Sequence, residues 1–190
     1  MSVLAGLSYF CGMSEAAPKK SKLDLTFASL LSDDDAQVLT ALTRIEDQGD
    51  ARAIRPLLTA LAKSKDAKVQ QRITALLNQI KVKDAVPELI EALREPTLLD
   101  VRRTVLATFW NAGLDVRDHL APFIDLAIEG DAEECLECLT VIENQEIWPE
   151  KAARTALSRV KKAAKAEKDP YKGAMLTDLL TVLEGRLGVE

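Results

Sequence analysis

Two cysteines three residues apart, Cys135 and Cys138 in "ECLECL", are the first residues whose type and spacing could do chemistry. A CxxC pair serves as half of a tetrahedral zinc site or as a dithiol redox couple. Zinc would need two more ligands, and the chain offers only Cys11 and its single histidine, His119, both distant in sequence. Redox work needs a thiol of lowered pKa, yet Glu133, Glu134 and Glu137 surround the pair, and negative charge raises a thiol pKa. The pattern therefore favours two small apolar residues on a buried stripe with Leu139 and Ile142. Asp118 precedes His119, but adjacent helical residues do not face each other, so the pair reads as a surface or helix-start feature rather than an acid–base couple. No glycine-rich phosphate loop, nucleophile elbow or HExxH motif occurs. The acidic "SDDDA" at 32–36 has too few ligands and the wrong spacing for a calcium loop, and reads as helix capping. These residues predict no enzymatic activity, no cofactor and no metal.

The basic stretch from Lys151 to Lys168 departs most from the rest. It holds seven Lys and Arg against one acid, Glu167, a local charge of +6 that leaves −11 on the other residues of a chain whose total is −5. Ala153, Ala156, Leu157, Val160 and Ala164 give it an apolar side at helical spacing. Such a helix is either a solvated outer face or a docking surface for an acidic partner, a nucleic-acid backbone or an anionic membrane surface. No aromatic side chains interleave with the lysines, which disfavours single-stranded nucleic acid.

The elements that must position these residues repeat. "AIRPLLTAL" (53–61) superposes without a gap on "AVPELIEAL" (85–93) at an offset of 32, and "LAPFIDLAI" (120–128) is a looser third copy. Periodicity predicts first helices over about 36–47, 67–80, 99–112 and 132–143, and second helices over about 51–62, 85–94, 118–129 and 149–167. Val38, Leu42 and Ile45 share one face, as do Val69, Ile73, Leu76 and Ile80, and Val101, Val105 and Phe109. Gly49-Asp50, Lys83-Asp84, Gly113–Asp115 and Gly130-Asp131 carry the Gly and Asp that end one helix and cap the next. Ser32 is the expected cap of the helix that opens on "DDD", and Pro149 a first helical residue with Trp148 packed at its corner. A short helix over 23–31 and a last one over about 172–187 act as caps, and residues 1–22, ending in "APKKSK", form a flexible arm before a helical domain over 23–190.

Bulk properties agree with this. Hydrophobic residues make up 47% of the chain, enough for a substantial core, while aromatics at 4% suit close-packed helices better than sheets. Net charge −5 disfavours nonspecific nucleic-acid binding. No apolar run approaches the length of a membrane span, and the apolar stretch 3–13 lacks the basic start of a secretory signal. Three cysteines do not make a disulfide framework, so a reducing, cytoplasmic location is expected.

A period of 32–34 residues belongs to helix-pair solenoids, in which one amphipathic hairpin buries its faces only by stacking on its neighbours. "IEDQGDARAIRPLLTALAK" and "LDVRRTVLATF" resemble HEAT repeats, particularly the short HEAT-like kind of phycobilin lyases and many bacterial scaffold proteins. The likeness rests on an Asp followed by Gln or Arg in a first helix (Asp66 with Gln70, Asp100 with Arg103), then a Gly-Asp turn and an Ala-Ile/Val-x-x-Leu helix. It covers residues 33–145 and fades from 146 onward, where Trp148-Pro149 and the lysine-rich helix replace the standard turn. A tetratricopeptide array would need bulky aromatic and Gly/Ala landmarks that are missing. The resemblance implies an all-α superhelix of about four helix pairs with terminal caps, whose second helices line the concave side. Candidate partner contacts are then Arg52, Arg55, Thr59, Glu88, Glu91, Asp118, Asp125, Arg154 and Ser158, with Lys161, Lys162 and Lys165 on the basic helix. Their signs alternate along the groove, which suits a protein of matching pattern better than a polyanion. The expectation is a non-enzymatic scaffold or adaptor holding another protein, with a subunit of a larger assembly tethered by 1–22 as a further reading. A phycobilin-lyase-like enzyme or chaperone and a nucleic-acid-binding HEAT-like protein are the alternatives.

Overall fold

A computed structural model describes residues 22–48, 50–82 and 84–188; of the arm expected over 1–22, residues 1–21, Cys11 among them, lie outside the described residues, and Lys22 belongs to the first helix. Ten α-helices follow in order: α1 Lys22–Leu30, α2 Asp35–Gln48, α3 Ile54–Lys63, α4 Ala67–Leu77, α5 Ala85–Ala92, α6 Arg102–Asn111, α7 Leu120–Glu129, α8 Ala132–Glu143, α9 Glu150–Ala166 and α10 Pro170–Leu187. Among the described residues there is no strand. Short 3-10 turns lead into α3 (Ala51–Ala53), α6 (Pro96–Val101) and α7 (Arg117–His119).

The helices alternate between two layers. In one, α2, α4, α6, α8 and α10 stack in chain order; in the other, α1 packs on α3, α3 on α5, and α7 on α9. Consecutive helices close the hairpins, with α1 on α2, α3 on α4, α5 on α6, α7 on α8 and α9 on α10. The fold is thus an all-α, two-layer solenoid. One continuous core runs between the layers, from Leu30 and Leu42 through Leu58, Ile73, Leu89 and Leu106 to Ile142, Val160 and Leu179, all essentially inaccessible. Phe109 and Phe123 meet edge to face across α6 and α7, with ring centroids 5.0 Å apart.

Local sequence explains most boundaries. Pro56, Pro87 and Pro122 each occupy the third position of their helix, where the backbone N–H has no acceptor in its own helix, so no bond is lost. Asp66, Asp131 and Asp169 cap α4, α8 and α10 with carboxylate oxygens that accept from backbone N–H groups. At α8 the box is reciprocal, since Glu134 accepts in turn from the Asp131 N–H. Gly130 ends α7 close against that box: a Cβ there would meet the Glu134 carboxylate and lie 2.7 Å from the Leu126 carbonyl oxygen.

Several expectations are corrected. Asp34, not Ser32, caps α2: Asp34 accepts from the Ala36 N–H at 2.9 Å, while the Ser32 hydroxyl accepts only from the Asp34 N–H. Asp84 precedes α5 with helical rather than extended backbone, so its carboxylate does not reach the helix N–H groups. Asp115 accepts from Arg117, and His119 holds the cap position of α7 without a side-chain bond. Pro149 is the residue before α9, not its first. Residues 96–101 leave the α6 pattern as a 3-10 turn that folds onto α3 and buries Leu98 and Val101. Leu77 replaces Leu76 and Ile80 as the fully buried residue at the end of α4, which stops at 77.

Candidate interaction surface

The second helices and the 3-10 turns that lead into them carry the expected contact residues; six of the twelve are ion-paired, but only Arg55, Glu88 and Glu91 meet one another. On α3, Arg55 reaches across to α5, with Glu91 at 2.9 Å, Glu88 at 3.5 Å and, just beyond that helix, Glu95 at 3.1 Å. Partial burial pulls the Arg55 guanidinium down, but bonds to Glu91 and Glu95 outweigh it and hold its pKa above the usual value. On α7, Asp125 sits 2.7 Å from Arg159 of α9 and 3.9 Å from Arg94. Arg52 pairs with Asp50 and Arg154 with Glu150. The Thr59 hydroxyl donates to the Arg55 carbonyl of its own helix. The alternation of sign read along the chain is therefore largely a ladder of internal pairs joining one second-layer helix to the next.

Helix α9 differs. Its alanines and Pro149 start favour a long helix, and Ala153, Ala156 and Val160 bury its inner side. Lys151, Arg154, Thr155, Ser158, Lys161, Lys162 and Lys165 recur every three or four residues along its exposed side. Among the described residues Lys151, Lys161, Lys162 and Lys165 have no carboxylate partner, nor does Lys168 in the following loop. Beside the stripe, α7 and α9 leave a groove of about 390 Å³ with Leu120, Ala121, Ile124, Ala152 and Ala156 among its walls.

A larger cavity, about 710 Å³, lies along the edge formed by the turns at 80–82, 112–119 and 147–149. The turns brace one another: Lys81 Nζ donates to the Ala112 carbonyl (2.8 Å), and the Gln145 side chain donates to Leu114 O and accepts from Val116 N–H. Asp118 and His119 line this cavity, apart from the other expected contact residues, and so does Ile147, whose 63% exposure is large for an isoleucine. Reading only second helices overlooked Ile147 and Lys81; the apolar Ile147 in the polar turn "NQEIWP" was the available signal.

Cys135 and Cys138 sit in the core. Burial pushes the Cys135 thiol up to about 11 and Cys138 well above its usual value. Among the described residues no group of three or more His, Cys, Asp or Glu is placed to hold a metal ion. Likewise among the described residues, no helix is long and apolar enough to cross a membrane.

No protein-family model matches the chain, and no curated protein matches it significantly. The second-layer surface is a self-paired ladder over α3, α5 and α7, ending in an unmatched lysine stripe on α9 beside an apolar groove.

Proposed function

We propose that the chain is a non-enzymatic HEAT-like adaptor that holds another protein through its second-layer face, with α9 as the principal contact. The observation that carries this reading is the contrast on one face between charges that neutralise each other and lysines on α9 that do not. Unmatched charge of one sign steers and selects a partner of the other sign, and the adjoining groove supplies apolar area for affinity. The absence of aromatic side chains from α9 and the excess of acid elsewhere in the chain favour a protein over a nucleic acid. A cytoplasmic setting accords with a protein that keeps Cys135 and Cys138 as buried thiols.

The test is affinity purification of the tagged chain from its native organism, set against a Lys161→Glu/Lys162→Glu variant. A specific protein retained by the wild type and lost from the variant is expected. Retention of nothing beyond an empty-tag control would defeat the adaptor reading, and an identical set of proteins on both would remove α9 from it.

A further inference from the structure

We infer that the groove between α7 and α9 seats an amphipathic α-helix of the partner, apolar on one side and carboxylate-bearing along the flank that meets α9; this rests on the adaptor reading and specifies its ligand. Three observations carry it. The groove is apolar and lies close to the backbone: Ala121 and Ala152 let another backbone come near, while Leu120, Ile124 and Ala156, almost inaccessible themselves, close its floor. Helices pack 8–10 Å apart when small residues line the contact, so a helix fits such a floor better than an extended strand, which would leave its backbone N–H and C=O groups facing alanine.

The cationic edge then runs alongside. Lys151 stands in the groove wall, and Ser158, Lys162 and Lys165 continue that side of α9 turn by turn. Lys151 to Lys165 spans roughly 21 Å at 1.5 Å per residue, about four turns of a guest helix. Arg159, also in the wall, is already held by Asp125 at 2.7 Å and stays a structural strut. Carboxylates recurring at three- and four-residue spacing on the guest match the lysine spacing of the host.

The same surface fits other occupants less well. Among the described residues the large exposed apolar side chains are Leu25, Leu31, Leu99, Leu136, Ile147 and Tyr171, none on α7 or α9, so nothing there is placed to enter a lipid surface. No aromatic side chain stands among the lysines of α9 for a base to stack on, which disfavours single-stranded nucleic acid.

The experiment uses the full chain and a fluorescent peptide built from Leu, Ala and Glu, with leucines at i, i+3, i+4 and i+7 and glutamates on one flank. Anisotropy is read at low and physiological salt against a scrambled peptide of the same composition and against anionic vesicles containing phosphatidylserine. The expected result is binding that weakens with salt, is at least about tenfold weaker for the scrambled peptide, and falls about as far in Ala152→Trp, Ala121→Trp and Lys151→Glu/Lys162→Glu. A Lys68→Glu variant on α4, far from the groove, binds as the wild type does. The inference is overturned by no binding at low salt, by equal binding of the scrambled peptide, by unchanged binding to both Trp variants when circular dichroism shows them folded, or by vesicles that outcompete the peptide. Photo-crosslinkers at Thr155 and at Ile147 in the native organism separate the two levels. A partner caught at 155 supports the groove; one caught only at 147 overturns the groove and leaves the adaptor reading standing; none at either site defeats both.

Discussion

Glu134 is the most buried carboxylate in the described chain, its side chain 8% exposed, and it serves two partners at once: Arg102 from α6, at 2.5 Å and 2.9 Å, and the Asp131 N–H that it caps. Removing Arg102 would leave that charge buried and half-satisfied. Arg102→Ala is expected to destabilise the fold by about 3 kcal/mol, read from the urea midpoint, and Arg102→Ala/Glu134→Gln to recover more than half of the loss because the capping bond survives without the charge. The cysteines lead to a second expectation. With the Cys135 thiol raised to about 11, roughly a thousandth of it is thiolate at pH 8, and burial raises Cys138 well above its usual value as well. In a Cys11→Ser background, a thiol reagent such as Ellman's should give almost no colour with the native protein and two equivalents after denaturation. Rapid reaction in the native state would mean that α8 opens easily or that the pair is a working dithiol.

At the scale of elements, much of the carboxylate chemistry goes into ends and turns. Asp34 is held below the usual carboxylate range by the Gln37 amide and the Ala36 N–H. The Arg52 guanidinium does the same for Asp50, and the N–H groups of Asp169 and Lys168, with Lys172, do so for Glu167 between α9 and α10. A carboxyl whose pKa is depressed on folding contributes stability that is fully present above its unfolded value and is lost as pH falls through its folded value. The melting temperature should therefore hold level from neutrality to about pH 4 and drop below it, and Asp50→Asn should show a shallower drop than wild type when both are melted across that range. The elements also show how far pattern reading reaches. Asp50 and Asp131 were legible as caps because each follows a Gly directly before an apolar-periodic run. Ser32 and Asp84 misled because any Ser or Asp near a helix start resembles a cap, while backbone angles decide which oxygen reaches which N–H.

For the whole molecule, stacking makes stability local to neighbours. Helix α1 is held by α2 and α3 at one end of the array, whereas α6 and α8 have helices on both sides in their layer and across it. Repeat arrays of this kind fray from their ends. Native-state hydrogen exchange should show amides of α1 exchanging first and those of α6 to α8 last; uniform protection from α1 to α8 would indicate a single cooperative unit instead. At the far end Lys172, nearly buried, donates to the Ile128 and Gly130 carbonyls at 2.7 Å and ties α10 to the end of α7. That bond makes α10 part of the array rather than a loose cap.

The all-α class, the hairpin period and the apolar seam were written in the sequence itself, because a 3.6-residue period and Gly, Asp and Pro punctuation are local signals. Val38, Leu42, Val69, Ile73, Val105 and Phe109 are buried where the spacing puts them. The lysine stripe of α9 was equally plain, for helical spacing alone lays it on one side. Only the tertiary structure decided which charges are matched. Arg55 meets Glu88 and Glu91, and Arg159 meets Asp125, because stacked helices bring together residues more than thirty positions apart, and no local pattern encodes the angle at which one helix lies on the next.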